Sequence, residues 1–359
     1  MRNGYRIIDA DCHVNEPLDL WRTRLPPSLQ RYALTDALEV DGQTIYANLP
    51  EEVARRMPAP RARDYFKYAI VDYDPQSQVK ALKILGADVA FLYPSFGAWL
   101  FAVDSMEPAV AGELVRIYND WLLEFCSYDR QMLRAVGAVN RHAPDGMAAE
   151  VRRLAAAGCK AVVVRPNPIK GRLLGDAAYE PFWNECERAG VAVGIHEGTY
   201  ARVPAAGSDR FVTHFAMHAC SHPMEQMMGL LALIEGGVLE RHPRLRVALL
   251  ESGGGWVPYW LWRMDRIYEE VSWEVKANVT MPPSEYFRRQ CFVSVEPSES
   301  YLPQLVDVLG ADNIIIGSDF PHHDHDPDVF DDAVALEGRL SKATLHKLLW
   351  DNPARLYGL

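Results

Sequence analysis

Short, unbroken apolar runs alternate along the chain with longer stretches in which apolar residues recur every three or four positions. The runs are YRIIDA (5–10), ADVAFLYP (87–94), LRAVGAV (133–139), KAVVVRP (160–166), VAVGIHE (191–197), RVALLES (246–252), CFVSVE (291–296) and NIIIGSD (313–319). Continuous rather than alternating runs predict strands buried on both faces, the pattern of a parallel sheet. Helical periodicity fills the intervals at 74–86, 107–129, 143–158, 180–190, 223–243, 256–271, 301–310 and 331–340. The first of these opens with Asp74-Pro75 and stops at Gly86, a cap at each end.

Strands that each lead into a helix predict an α/β fold of the (β/α)8 TIM-barrel type, one domain over 1–359. An open doubly wound sheet would announce itself with a Gly-rich phosphate loop after its first strand. Here the first strand runs into DADCH instead. Two stretches break the rhythm: an insertion at about 14–73, after the first strand, and a loop at 198–218. Both follow strand ends, where barrels place substrate-binding excursions.

Composition narrows the partners. The 359 residues carry a net charge of -11, which disfavours nucleic acid. MRNGYRIIDAD lacks the apolar stretch of a signal peptide, and no window reaches the roughly 18 apolar residues of a membrane span. Cys12, Cys126, Cys159, Cys186, Cys220 and Cys291 show no C-x-x-C pairing, as expected for reduced thiols of a cytoplasmic protein.

In such a barrel the C-terminal ends of the strands converge on one mouth. Asp11 and His13 stand there from the first strand, Arg165 and Asn167 from the fourth, and His196 and Glu197 from the fifth. Glu251 and Ser252 follow from the sixth, and Ser318, Asp319 and His322 from the eighth. Asp11 and His13, two apart, project from one side of a strand. With His196 and Asp319 they offer two imidazoles and two carboxylates, a set for one divalent ion: Zn²⁺, or Mn²⁺ or Fe²⁺ given the oxygen content. The competing expectation is that these are ordinary strand-end hydrogen-bonding residues.

IDADCHVNEP, HPMEQMMGLLALIEGGVLERHPRLRVALLESGGGWVPYWLWRMDR, NIIIGSDFPHHD and the closing DNPARLYGL resemble the amidohydrolase superfamily. Within it they resemble the amidohydrolase-2 branch, that of aminocarboxymuconate-semialdehyde decarboxylase-like metal-dependent hydrolases and decarboxylases. The resemblance runs from residue 6 to 359 and implies a distorted barrel with one metal ion. It maps that ion's ligands onto Asp11, His13, His196 and Asp319, with Asp319 also shuttling a proton. It implies non-oxidative decarboxylation of a small aromatic or unsaturated acid. Hydrolysis of an ester, lactone, amide or C–C bond by the same site is the alternative. A barrel that only binds a ligand is the reading from another class.

One departure stands out. The family's acid/base His at the end of the sixth strand is replaced by Ser252, beside Glu251. His222, Glu251 and His218 are the candidate substitutes, left open at this point. Arg165 is either a clamp for a substrate carboxylate or half of a salt bridge under the rim, with Asn167 beside it. His322 is expected to touch the site, and Glu16 to brace a ligand His or cap a turn. Tyr93, Phe96, Trp99 and Phe101 are expected to wall the substrate pocket. Gly253–Gly255 reads as a tight turn before an anion cradle, and His142, His214, His242, His323, His325 and His346 as structural or solvated. Trp256, Trp260 and Trp262, at helical spacing, suggest core packing or the interface of a homodimer or higher homo-oligomer.

Overall fold

The computed structural model describes residues 2–17, 19–33, 37–40, 43–46, 74–197, 205–211, 213–322 and 326–359, with the backbone alone at 37–40, 43–46, 99, 100 and 214. All eight expected strands are present: β1 Ile8–Val14, β4 Val89–Pro94, β5 Leu133–Ala138, β6 Ala161–Val164, β7 Ala192–Ile195, β8 Val247–Leu249, β9 Cys291–Val295 and β10 Ile314–Ile316. They form one parallel sheet in the order β1-β4-β5-β6-β7-β8-β9-β10. Nearly every strand residue is buried, as continuous apolar runs require. Helices on the outside complete a nearly closed (β/α)8 barrel.

The seam between β10 and β1 is closed by irregular backbone. Asp319 N–H donates to the Asp11 carbonyl at 2.8 Å, and His13 N–H to the Phe320 carbonyl at 2.6 Å. Ser318 N–H and Oγ donate to Asp9 at 2.9 and 2.5 Å. Gly317 makes the approach possible, because a Cβ there would lie 2.2 Å from Asp11 Cβ. These partners also explain a displaced element. β1 runs to Val14 rather than ending near residue 10, since its polar residues pair across the seam. A register shift between Asp9 and Cys12 marks a bulge in β1.

The helices form for the reasons expected. Pro75–Leu85 is capped by Asp74, which accepts from Ser77 N–H, and ends at Gly86 in the left-handed region. One helix differs. The segment expected at 223–243 starts nine residues earlier, as His214–Glu235, with Pro223 in its interior, and Val238–Arg241 follows it. Pro223 suggested a helix start. Thr213, whose hydroxyl accepts from Ala216 N–H, sets the start instead. His218 and His222 therefore lie on the helix, one turn apart, and not ahead of it.

In the insertion, β2 Ala37–Val40 pairs antiparallel with β3 Gln43–Tyr46, a hairpin that the sequence pattern did not reveal. Residues 47–73 lie outside the described ones, as do 198–204 of the second excursion.

Candidate metal centre and active site

Asp11, His13, His196 and Asp319 meet at the mouth. His13 Nε2 lies 3.1 Å from His196 Nε2 and 3.2 Å from Asp319 Oδ1. Asp11 Oδ1 lies 3.3 Å from His196 Nε2 and 3.7 Å from His13 Nε2. Each imidazole commits its other nitrogen to a backbone carbonyl. His13 Nδ1 donates to Pro94 O at 3.1 Å, and His196 Nδ1 to Glu197 O at 2.7 Å. That fixes the tautomers and leaves both Nε2 atoms facing one point. Only a shared positive charge makes two such atoms favourable neighbours at this distance.

Asp11 Oδ1 is buried and makes no hydrogen bond. Asp319 Oδ1 makes none of ordinary geometry, although His322 Nδ1 stands 2.7 Å away. Buried carboxylate oxygens without donors are costly. A divalent ion among these four side chains resolves both problems, so the donor set fits a metal, with His322 beside His13 and Asp319, and Glu251 beside His196 and Asp319, as further donors within reach.

The charges point the same way. Burial is the largest influence on His13 and, with His322 and His196 nearby, holds its imidazole at about 4, neutral and fit to be a ligand. Burial also disfavours the His196 imidazolium, but the Asp11 carboxylate, with Glu251 and Asp319, outweighs it and raises the group to about 9. Burial raises the Asp319 carboxyl, yet His322 and His13 together hold it well below the ordinary carboxylate range. The cluster's excess negative charge calls for a cation.

A second group adjoins the first. Glu251 Oε2 lies 3.6 Å from His196 Nδ1, and its Oε1 lies 3.3 Å from His222 Nε2. Ser221 Oγ touches His222 Nδ1 at 3.1 Å. The His218 ring packs on the His222 ring at 4.6 Å. Buried Gln226 donates to the carbonyls of Ile195 and Leu250 at 2.7 and 3.0 Å, tying the helix to the residues just before His196 and Glu251. Glu251 and Asp319 both have left-handed backbones, φ 48° and 55°. For residues other than glycine this costs about 1–3 kcal/mol. No motif signalled Gln226.

The remaining candidates fall as follows. Arg165 is buried in an ion pair with Glu197, and its Nε donates to Asn167 Oδ1 at 3.2 Å. His322 lies over His13, ring centroids 4.0 Å apart, with Nε2 2.9 Å from Ser95 Oγ. Ser95 had carried no signal either. Buried Glu16 accepts from Phe96 and Gly97 N–H at 2.9 and 3.1 Å, so it braces the chain after β4 rather than a histidine. Burial raises its carboxyl to about 7.

Tyr93 is not a pocket wall but lies inside the barrel, its hydroxyl 2.9 Å from that of Tyr357. It points inward because Gly194 leaves room: a Cβ there would lie 2.6 Å from the Tyr93 hydroxyl. Phe96 and Phe101 pack against the core, and the Trp99 side chain lies outside the described residues. Gly254 N–H is bound by Glu299 at 3.0 Å, so the glycine run is a turn held by a carboxylate of the chain itself. His142 bonds Val103 O, His242 bonds Glu180 and His346 bonds Asp351, all structural. His323, His325 and the His214 side chain lie outside the described residues.

Comparison with known proteins gives the family and supports the fold. An amidohydrolase family model matches residues 8–359. The chain is 24% identical over 253 residues to a 2-amino-3-carboxymuconate-6-semialdehyde decarboxylase of Dictyostelium discoideum, covering 69% of this chain and 67% of that protein. It is 27% identical over 286 residues to a gamma-resorcylate decarboxylase of Rhodococcus jostii, covering 69% and 80%. In fold it is similar to a 5-carboxyvanillate decarboxylase of Novosphingobium aromaticivorans, crystallised with manganese and 4-hydroxy-3-methoxy-5-nitrobenzoic acid. That likeness has a TM-score of 0.75, 18% identity, and covers 100% and 97% of the two chains.

Proposed function

The chain belongs to the amidohydrolase family, and on that premise we propose that it is a metal-dependent carboxy-lyase for a small aromatic or unsaturated carboxylic acid. The observation that carries the proposal is the convergence of Asp11, His13, His196 and Asp319, with the His222–Glu251 pair beside them. A divalent ion bound there would supply Lewis-acid charge to a substrate carboxylate and its neighbouring oxygen. Zinc suits the imidazole and carboxylate donors, with manganese or iron as rivals.

The chain's own residues supply the proton chemistry. His222, oriented by Ser221 and paired with Glu251, delivers a proton to the carbon that bears the carboxylate. Heterolysis of the C–C bond then returns its electron pair to the ring or chain and releases carbon dioxide. One proton replaces one carboxylate, and the step is neutral in redox. His218 supports His222 by ring contact, and Asp319, beside His13 and His322, is a second proton station. Asn167, beside Arg165, and His322, over His13, are proposed for the substrate side of the mouth.

The test is a panel assay on protein loaded with one equivalent of zinc or manganese. Carbon dioxide release from hydroxybenzoates or muconate-like acids is the expected result. Turnover of esters, lactones or amides alone would replace it with hydrolysis, the second reading, which Glu251 favours as a carboxylate base beside the cluster. Absence of stoichiometric metal, with ligand binding unchanged in Asp319→Ala and His196→Ala, would leave a binding barrel without catalysis.

We extend the proposal to a reduced, cytoplasmic setting, in keeping with six free cysteines. No helix among the described residues is long and apolar enough to cross a membrane. We also propose a homo-oligomer. The exposed Tyr259, Trp262 and Trp273 of the helix Trp256–Val275 support it, and sedimentation tests it.

A further inference from the structure

Three consecutive strand ends on one flank of the mouth are joined by guanidinium groups. Arg141, past β5, donates Nη1 to the backbone carbonyls of Arg165 and Asn167 at 2.7 and 2.6 Å, and Nη2 to that of Arg172 at 3.1 Å. Arg165, past β6, donates Nη2 to Glu197 Oε1 and Nε to Asn167 Oδ1. Glu197, past β7, lends its backbone carbonyl to His196 Nδ1 at 2.7 Å. Arg141, Arg165, Glu197 and His196 are 4, 6, 2 and 4% exposed.

A buried guanidinium is held by carbonyls, as Arg141 is, or by an anion, and Arg165 has its anion inside the protein. Glu225, on the helix His214–Glu235, adds a second carboxylate in its field while accepting from Ala206 N–H at 2.6 Å. A guanidinium already neutralised in this way has little charge left for a substrate carboxylate. Its rigid fork does have a consequence at the metal centre. By anchoring the Glu197 side chain it restricts the backbone of Glu197, whose carbonyl selects the His196 tautomer with Nε2 turned toward Asp11 and His13.

We infer that Arg165 is a positioning residue for the ligand His196, acting through the carboxylate and carbonyl of Glu197, and is not the substrate's anion clamp. Arg141 holds the loop that carries it. The inference rests on the metal centre proposed above and is independent of which reaction that centre performs.

Arg165→Met, Glu197→Gln and the double variant Arg165→Met/Glu197→Leu test it. Metal affinity is measured by competition with a fluorescent chelator, using Mn²⁺ and Zn²⁺. The melting temperature of the metal-free protein and KM at saturating metal are measured alongside. Loss of an outer hydrogen-bond partner of a ligand His weakens metal binding about 10–100-fold. Both variants keep the Glu197 carbonyl and lose only what steadies it, so weakening at the lower end of that range, about 10-fold, is expected for Arg165→Met and Glu197→Gln, with KM unchanged. The double variant removes both charges of the Arg165–Glu197 pair together, so it is expected to fold even where a single variant, which strands one of them, does not. It should still bind metal more weakly than wild type.

A rise in KM with unchanged metal affinity would overturn the inference in favour of a substrate clamp. Lower melting temperature with unchanged metal affinity would also overturn it, leaving a structural ion pair only. Failure of wild-type protein to bind either metal is a separate outcome: it removes the metal centre itself, and this assignment with it.

Discussion

The two halves of the mouth meet at one point but are held differently. On the seam side, β1 and the segment after β10 supply Asp11, His13 and Asp319, and strand backbone fixes them through Asp11 O, His13 N and the Ser318–Asp9 bonds. On the other side, His196 follows β7 and Glu251 follows β8, but His222 comes from a helix that crosses them. Gln226 is the tie between that helix and both strands. The seam half is a candidate ligand set placed by the barrel. The other half joins a candidate ligand to the proposed proton carrier, which only tertiary packing brings into register.

The largest effect should come from breaking the part both halves share. Removing His196 or Asp319 takes a donor from the ion, and with it about 5 kcal/mol of charge stabilisation, roughly 10⁴-fold in rate. His196→Ala and Asp319→Ala are therefore expected to lose stoichiometric metal, measured by elemental analysis, together with carbon dioxide release. Full activity without metal would end the account of both halves.

The comparison sharpens at the proton half. General acid–base groups contribute about 10²–10⁴-fold, so His222→Gln and Glu251→Gln are each expected to lower kcat by about a hundredfold or more. Metal content should hold in His222→Gln, which removes none of the candidate donors, whereas a fall in Glu251→Gln would place Glu251 among the ligands beside His196 and Asp319. As the two act as a unit, the double variant should be little worse than either single one. Additive losses in that cycle would assign them separate tasks.

This asymmetry also governs what could be read from the sequence. Eight apolar runs located the barrel, because burial on both faces leaves a pattern no neighbour can alter. Asp11, His13, His196 and Asp319 followed from their places at the ends of those runs. His222 was one of three candidates, since Pro223 disguised the helix that carries it. Ser95 and Gln226 left no trace, because their partners, His322 and the carbonyls of Ile195 and Leu250, lie far away in sequence. Arg165 was legible only as a choice between clamp and ion pair, and the Glu197 contact is the ion pair.

Gln226 gives the next largest effect. Gln226→Leu leaves the buried carbonyls of Ile195 and Leu250 without its two donors, at about 1–3 kcal/mol for each group left unsatisfied. Ile195 O keeps its bond from Leu250 N–H, so one carbonyl is left unsatisfied and a net loss of about 1–3 kcal/mol is expected in urea unfolding. Glu251 would be released from His222 as the helix separates from β8. A variant of wild-type stability would show that the helix is held elsewhere.

The smallest effect belongs to the seam half and depends on pH. Glu16 ionises near 4.5 in an unfolded chain but at about 7 when buried beneath Phe96 and Gly97. Between these values the folded protein holds a proton that the unfolded chain has released, so stability falls as pH rises. The contribution is complete below about 4.5 and lost above about 7. At 1.36 kcal/mol per decade the full difference is at most about 3 kcal/mol, and water entering the site lowers the expected slope to about 1–2 kcal/mol. Glu16→Gln keeps the shape and removes the titration. It should flatten unfolding free energy between pH 5 and 7 and stabilise the protein most at pH 8. An unchanged slope in that variant would move the titration to Asp9, the other buried carboxyl raised to about 7 by burial, which lies on the seam itself.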